Sequence, residues 1–452
     1  MNKRTLLSTA IAASMSVGSL TALADTVSAP APVAAPVTTT LMPVMGGTLE
    51  ANTKPNVFDA GPIGNIYVTG VASGLAMFQS SASDGRYAGF PGSAISSDDR
   101  SALGDVSNAQ IFLNKADGLV QFFAQIGAYS LPSLGGAYLN ASKTNNLYGP
   151  LAQGYLKIVP SDNFSIQAGQ MSTFIGAENT YTFQNGNIER GLLWSQEHPI
   201  TRGFQANYGI GPVALSAAWT DGAVSGQMDW VTGMAAWTID KEDTLTFVGG
   251  ANAKSGGAQV TNQSLVLNST GSIFRGINSF VGGINNGGVG TATPLFQNNE
   301  QLYNLIYTHA SGPWSVTPWL QYTYVPAMAN LGFTKSAETL GGSVLVNYTF
   351  DKSCSFGGFN LGGYSLPARF EYITSAGGHG TTGQLGSQTN LIYGVGSEAY
   401  SLTITPTYQK GIFFARGELS YVGIVDGTTG AMFGKNQRNG QTRGLLEVGF
   451  LF

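Results

Sequence analysis

Short and long connections alternate along this chain between runs of strand-like sequence, and few folds satisfy such a pattern. From residue 65 onward, apolar and polar residues alternate with a period of two, which predicts about sixteen strands within a range of roughly 14 to 18. The predicted strands are 65–79, 105–115, 119–130, 151–159, 163–172, 200–208, 213–220, 228–239, 243–252, 301–310, 314–325, 339–350, 366–374, 398–408, 411–422 and 442–452.

The connections favour a barrel that crosses a membrane. The short ones are 116–118, 160–162, 209–212, 240–242, 311–313 and 409–410. The long ones lie around 80–104, 131–150, 173–199, 253–300, 326–338, 375–397 and 423–441. A transmembrane antiparallel β-barrel has short periplasmic turns and long extracellular loops, whereas a soluble sandwich gives no reason for the alternation. Segment 351–365 departs from the pattern, because it is long where a tight turn is expected, and a pair of short strands there would change the count.

The last predicted strand, 442–452, has one apolar face and one partly charged face. Successive side chains of a strand point to opposite faces, so Arg443 and Glu447 share the face opposite the large apolar residues. The apolar set is Leu446, Val448, Phe450 and Phe452. We expect this set to face membrane lipid, and we expect the barrel-assembly machinery to bind this strand. On these residues alone, an amphipathic strand of a soluble sandwich is the alternative.

Charged residues are scarce for a soluble protein. They make up 10% of the chain, against roughly a quarter in soluble domains, while the mean hydropathy is +0.05. No run beyond the N-terminus approaches the roughly 18 apolar residues that a membrane helix needs. This combination is typical of a barrel in which apolar and neutral polar residues alternate.

The N-terminus has the pattern of a secretory signal. A positively charged start and a short apolar core precede the small-x-small site at 22–24, so residues 1–24 are predicted to be a signal peptide. Residues 25–61 are rich in Ala and Pro and predict an extended periplasmic linker, followed by the barrel at 62–452. The linker has either no separate role or a role as a plug or a cell-wall contact.

Several function classes are disfavoured by the composition. The single cysteine, Cys354, excludes an internal disulfide and a cysteine-based metal site within one chain. A net charge of −4 argues against nucleic acid as a partner. The three histidines, His198, His309 and His379, stand in no metal-ligand or catalytic motif. We therefore expect no enzymatic activity, no metal and no cofactor.

Four segments in the middle and at the end of the chain carry a family resemblance. They are Met171–Glu178 (MSTFIGAE), Asn187–Gly191 (NIERG), His198–Gly203 (HPITRG) and Phe414–Tyr421 (FARGELSY). They resemble the putative β-barrel porin-2 family of Gram-negative outer membranes. The resemblance implies a passive outer-membrane pore and supplies no catalytic residues, so the site residues below follow from strand parity.

Charged residues in three of the later strands fall on the face opposite the apolar set. They are Arg369, Glu371, Arg416, Glu418, Arg443 and Glu447. A Lys or Arg on the lipid face at mid-membrane costs roughly 2–4 kcal/mol, so we expect these six side chains to line the lumen. They either form a mixed-charge ladder that shapes ion selectivity or only hold the inner wall together.

The loop 173–199 has a high density of ionisable residues for this chain. They are Glu178, Glu189, Arg190, Glu197 and His198. Folded into the barrel, this loop would form a constriction at which charges select ions. As an exposed outer loop it would have no such role, and the sequence leaves both options open.

These features together predict an outer-membrane barrel of a Gram-negative bacterium that acts as a passive diffusion channel for small hydrophilic solutes or ions. The expected partners are outer-membrane lipid, the barrel-assembly machinery and the solutes, and a homotrimer suits a barrel of this size. The alternative is an occluded barrel whose outer loops act as an adhesin or receptor. The strand count favours the channel, because a barrel of about eight strands fills with its own side chains.

Overall fold

The wall of the protein is a single sheet of sixteen strands, numbered β1 to β16 in chain order. The computed structural model describes residues 45–82, 100–222, 227–253, 300–327, 335–376 and 392–452, except residues 53, 137, 352, 357–358, 394–395, 428–431 and 435. The strands are β1 Asn65–Gln79, β2 Ala102–Lys115, β3 Val120–Tyr129, β4 Leu151–Ser161, β5 Phe164–Ser172, β6 Ile200–Ile210, β7 Val213–Thr220, β8 Trp230–Thr238, β9 Asp243–Asn252, β10 Gln301–Ser311, β11 Trp314–Val325, β12 Ala337–Tyr348, β13 Ala368–Ser375, β14 Glu398–Ile404, β15 Phe413–Asp426 and β16 Gly440–Leu451.

The sheet closes on itself. Each strand pairs antiparallel with its neighbours in the chain, and β16 pairs with β1 in a register that runs from Val71 opposite Leu451 to Gln79 opposite Arg443. Closure removes the free edges of the wall, so its backbone polar groups can pair within the sheet, as the interior of a bilayer requires. The predicted antiparallel barrel of about sixteen strands is confirmed.

Proline interrupts the wall where β13 and β14 approach the tight-turn end. The short strand Tyr364–Ser365 precedes Pro367, and Thr407–Lys410 continues β14 after Pro406. Proline has no N–H group to donate to the ladder, so the strands break at these residues. Across the break, the Thr405 N–H still donates to the carbonyl of Pro367 at 2.8 Å.

The long segment before β13 does not change the strand count. It holds a separate hairpin of Ser355–Phe356 with Phe359–Asn360, which does not join the wall. A further short strand, Asn56–Asp59, pairs with the first residues of β1. Single 3-10 turns occupy Gly61–Ile63, Thr182–Gln184 and Trp194–Gln196.

Helix is rare in the described part of the chain. The helix α1, Ala141–Tyr148, lies in the connection between β3 and β4. Within the described ranges, no helix is long and apolar enough to cross a bilayer.

Side chains of the wall sort by parity into an outer apolar face and an inner face. In β16, Leu446, Val448 and Phe450 are 60%, 62% and 37% exposed, whereas Arg443 and Glu447, which have the opposite parity, are buried. The same outward exposure recurs at Phe247, Leu305, Leu320, Phe370 and Leu402. An apolar surface of this extent is expected of a wall whose outer side meets lipid.

The buried core lies inside the barrel and includes residues from the connections as well as from the wall. One cluster joins Val71 of β1 and Phe112 of β2 to Tyr181 and Trp194 of the connection between β5 and β6. A second cluster joins Trp319 of β11 to residues of several connections, among them Leu134, Leu193, Tyr393 and Phe433. The interior is therefore packed in part by loops that fold inward.

Candidate functional site

Residues 173–199, which we name the inserted segment, cross the interior of the barrel. They leave β5 and return at β6, yet they bind strands far from both. Their hydrogen-bond partners in the wall include Asn304 of β10, Gln321 of β11, Thr339 of β12 and Glu447 of β16, at 2.7 to 3.1 Å. A segment anchored at β5 and β6 reaches all of these strands only from the inside of the closed wall.

Six charged residues on the inner face of β13, β15 and β16, which we name the clamp, hold the inserted segment. They are Arg369, Glu371, Arg416, Glu418, Arg443 and Glu447, each at most 4% exposed. These are the six residues that strand parity assigned to the lumen. They contact protein groups inside the barrel, and their effect on permeation stays a prediction.

Two clamp carboxylates bind the main chain of the inserted segment. Glu418 accepts the N–H groups of residues 188 and 189 at 2.5 and 3.0 Å, and Glu371 accepts those of residues 192 and 193 at 2.9 and 3.3 Å. Consecutive N–H groups that converge on one anion form a concave binding site, and the negative charge strengthens each bond. The wall thus holds this part of the segment by its backbone, independently of its side chains.

Gly191 permits this close approach between segment and wall. A side chain at this position would collide with the carboxylate of Glu371. The Gly191 N–H group donates to Glu178 at 2.9 Å, within the same segment. Glycine therefore leaves the Glu371 carboxylate in place to accept the N–H groups of residues 192 and 193.

Two clamp arginines bind the acidic residues of the inserted segment. Arg369 donates to the Glu178 carboxylate at 2.5 Å and to the Glu189 carbonyl at 2.7 Å. Arg443 donates to the Glu189 carboxylate at 2.8 Å and to the carbonyl of Ser133, in the connection between β3 and β4, at 2.6 Å. Each arginine therefore joins the wall to a loop that folds inward.

The third clamp arginine forms an ion pair within the wall. Arg416 pairs with Glu447 of the neighbouring strand and donates to the Asn185 carbonyl at 3.0 Å. Glu447 also accepts the hydroxyls of Ser73 and Thr182 at 3.0 and 2.9 Å. Since β1, β15, β16 and the inserted segment all meet at this carboxylate, it lies at the seam where the barrel closes.

The charges on this side nearly cancel. The clamp together with residues 178–190 of the inserted segment contains four buried arginines and five buried glutamates, which are Arg190, Arg369, Arg416, Arg443, Glu178, Glu189, Glu371, Glu418 and Glu447. Arg190 is fully buried and lies 5.3 Å from the ring centre of Trp194. A nearly balanced, buried network is suited to holding the segment in place.

The end of the inserted segment nearest β6 has a different environment. His198 is fully buried, lies edge-on to Trp230 at 4.6 Å, and has its Nδ1 3.7 Å from a carboxylate oxygen of Glu300. Burial lowers the pKa of His198 to about 3 and raises the pKa values of Glu197 and Glu300 well above their usual range. Sequence reasoning missed Glu300. This residue ends a Gly-rich connection, and the alternation of faces along a strand does not apply to a residue outside a strand.

One part of the inner wall, near the tight-turn ends of β6, β7, β9, β10 and β11, is uncharged and partly exposed. We name these residues the neutral flank; they are Gln205, Asn207, Ser216, Thr246, Thr308 and Thr317. They share the buried parity of their strands, and their partial exposure indicates free space in front of them. Sequence reasoning followed charges and missed this set, although its alternation with outward residues such as Phe204 and Tyr208 could have found it.

Hydrogen bonds connect the neutral flank along the wall. Asn207 accepts from Gln205 at 2.7 Å and from the Ser216 hydroxyl at 2.8 Å. The hydroxyls of Thr308 and Thr317 lie 3.2 Å apart. Amide and hydroxyl groups both donate and accept, so this surface can exchange hydrogen bonds with water or with an uncharged polar solute.

The sequence-predicted charged residues meet in the interior but divide into two groups. Glu178, Glu189 and Arg190 lie with the clamp, whereas His198 lies beside Glu300. The role of the inserted segment as a constriction stays a prediction. Among the described residues, no group of three or more His, Cys, Asp and Glu is arranged to hold a metal ion.

A comparison with known families assigns the chain. The family described as putative beta-barrel porin-2, OmpL-like, matches residues 65–452, from the first residue of β1 to the last residue printed. The chain belongs to this family. The resemblance inferred from the four sequence segments is confirmed, and the protein is an outer-membrane β-barrel of the porin type.

Solved structures agree on the fold. The chain is similar to the anion-selective porin from Comamonas acidovorans, with a TM-score of 0.51 and 6% identity over 86% of this chain and 99% of that chain. It is also similar to OmpT of Vibrio cholerae, with a TM-score of 0.52 and 9% identity over 88% of this chain and 100% of that chain. At such identities the likeness shows the fold alone. No curated protein matches the chain.

Proposed function

We propose that this barrel is a passive diffusion channel for small hydrophilic solutes, with uncharged solutes preferred, and that the inserted segment forms its narrow part. The observation that carries the proposal is the asymmetry of the interior. The inserted segment is fixed to the clamp on one side, and the neutral flank faces free space on the other.

The transport step needs no cofactor and no conformational cycle. A solute enters down its gradient and replaces hydrogen bonds to water by hydrogen bonds to amides and hydroxyls such as those of Asn207 and Ser216. A charged solute would lose hydration without meeting an opposite charge on this surface. The neutral flank therefore favours uncharged solutes, and the width beside the inserted segment limits their size.

Conductance and solute uptake by the purified protein test this proposal. We expect stable conductance steps in planar bilayers, and swelling of proteoliposomes in uncharged sugars up to a size limit. Deletion of residues 180–192 should raise the conductance, because it removes the part of the segment that the clamp holds. Deletion of 355–360, in the hairpin outside the wall, is the matched control and should leave the conductance unchanged.

Absence of both conductance and swelling would overturn the channel. Folding must be verified in the same sample by the shift in gel migration between unheated and heated protein. A folded barrel that passes neither ions nor sugars would support the alternative of an occluded barrel that binds partners through its outer loops. Assembly as a homotrimer stays a prediction, which the mass of the unheated, detergent-solubilised protein checks.

A further inference from the structure

Residues 45–52, which we name the N-terminal segment, precede the wall in sequence but pack inside the barrel. The Gly46 N–H group donates to the carbonyl of Gln184, in the inserted segment, at 2.8 Å. Leu49 is 3% exposed and belongs to one buried cluster with Val71 of β1 and Phe112 of β2. Both wall residues are on the inner face, so Leu49 lies in the lumen.

The other end of the N-terminal segment is fixed at the tight-turn mouth of the barrel. The Glu50 N–H group donates to the Gln409 side chain at 2.7 Å, and the Gln409 amide donates back to the Glu50 carbonyl at 2.9 Å. Gln409 is the last residue but one of the strand Thr407–Lys410, which leads into the tight turn before β15. The segment therefore runs from this mouth, which is periplasmic in outer-membrane barrels, to the inserted segment.

Two glycines form the contact between the N-terminal segment and the inserted segment. A side chain at Gly46 would collide with the amide of Asn179, and a side chain at Gly47 would collide with the main chain of residues 185 and 186. Main chain lies directly against main chain at Gly47. Such a contact has no spare volume, because a collision with backbone cannot be relieved by rotating a side chain.

We propose that the N-terminal segment is a tethered plug, which narrows the lumen from the periplasmic mouth and supports the inserted segment. This inference rests on the proposed channel function and extends it. The plug occupies the β1, β2 and β15 side of the interior, below the clamp, and leaves the neutral flank uncovered. Solutes are thereby confined to the neutral flank along the lower part of the path.

The plug can be displaced without opening the wall. The closing register between β1 and β16 begins at Val71, beyond the short tether that joins the plug to Asn65. A covalent tether keeps the plug at a high local concentration, so a few contacts suffice to hold it in the lumen. A variant that weakens these contacts should therefore still form the barrel.

The full-length Gly47→Val variant tests the plug. We expect its single-channel conductance to rise about twofold, because a released plug widens the conducting cross-section. Hydrogen exchange of peptides covering residues 45–52 should become faster in the same variant. The matched control is Gly233→Val, because a side chain on that outward-facing glycine of β8 meets no atom within 4 Å. Gln409→Ala, which removes the mouth contact together with the bond from Gln409 to the Gly411 carbonyl, should give a smaller rise.

The outcomes separate the plug from the channel. If the wild type conducts and the folded Gly47→Val protein has the same conductance, the plug is overturned and the channel stands. If the folded wild type is silent and the variant conducts, the open channel proposed above is overturned, and the plug is supported as the element that closes the barrel. If both are silent, channel and plug are overturned together. If Gly47→Val fails to show the gel shift of a folded barrel, a variant that lacks residues 45–52 replaces it. Its conductance is interpreted by the same three outcomes.

Discussion

The clamped side of the lumen and the neutral flank use polar residues for opposite purposes. On the clamped side, arginines and glutamates are buried and are bonded to one another or to loop backbone. On the neutral flank, amides and hydroxyls are partly exposed and bond along the wall. The difference teaches that charge density in a barrel sequence is a poor guide to the surface that water meets. Here the charges hold a loop, and the uncharged polar residues face the open space.

The largest effect should follow from breaking one ion pair of the clamp. Arg416→Gln leaves Glu447 buried without its charged partner, and such a loss costs about 3–5 kcal/mol of folding free energy. The control is Lys115→Gln, because its partner Asp117 is 62% exposed and stays hydrated when the pair is lost, so the loss should cost about 1 kcal/mol or less. Denaturant titrations followed by tryptophan fluorescence measure both. Equal losses in the two variants would remove the distinction between a clamp and ordinary surface pairs.

Ion selectivity should respond more to the neutral flank than to the clamped side. Asn207→Asp places a new charge where free space adjoins the wall, so we expect the reversal potential in a KCl gradient to shift towards cation selectivity. Glu189→Gln removes a charge that is buried between Arg443 and Ser420, so we expect a smaller shift. The comparison fails if Glu189→Gln gives the larger shift. In that case the buried charges themselves would shape permeation, as in the hypothesis of a mixed-charge ladder.

A smaller, pH-dependent effect should come from Glu300, a buried carboxylate that immediately precedes β10. Glu300 has no arginine or lysine partner among the described residues, and burial raises its pKa. The stability associated with its protonated form is present below the pKa of the unfolded chain and is lost as pH rises through the folded pKa. Glu300→Gln should therefore gain stability relative to wild type as pH rises from about 4.5, near the ordinary glutamate value.

His198 has the opposite effect on the pH dependence of stability. The wild type and Glu300→Gln must therefore be compared at each pH. The pKa of His198 is lowered to about 3, so both proteins lose stability as pH falls below the ordinary histidine value of about 6.5. Because both proteins contain His198, the difference between their unfolding free energies reports on Glu300 and on its effect on Glu197, whose pKa Glu300 helps to raise. Glu242→Gln, in an exposed turn, is the control. A difference between wild type and Glu300→Gln that does not vary with pH would contradict the assignment.

The wall could be predicted from the sequence because the pattern within each strand shows which residues share a face. A period of two assigns Leu446 and Val448 to one face and Glu447 to the other, and the cost of a charge in lipid decides which face is outward. The destination of the inserted segment could not be predicted in this way. Its partners are remote in the chain, as in the bond between Thr182 and Glu447, which are 265 residues apart. Parity along one strand contains no information about such a contact.

Two other parts of the interior had weak or misleading signals. Residues 45–52 belong to an Ala- and Pro-rich stretch whose composition predicts an extended linker, and nothing local indicates that Leu49 is buried. The neutral flank had a usable signal, since Asn207 shares the inward parity of Gln205. It was missed because an uncharged polar residue on the lipid face costs too little free energy to decide which face of the strand is outward. Composition and charge therefore identified the wall better than its contents.

The position of the clamp in the chain has a consequence for biogenesis. Every residue of the clamp lies in β13, β15 or β16, which are synthesised and exported well after the inserted segment that they bind. Until they arrive, the carboxylates and main chain of residues 178–193 lack their binding partners. Contacts between remote parts of a chain form late, so filling of the interior and sealing of the cylinder should be one event. A C-terminally truncated chain would then expose an acidic, unbound loop, a state that periplasmic chaperones and proteases could recognise.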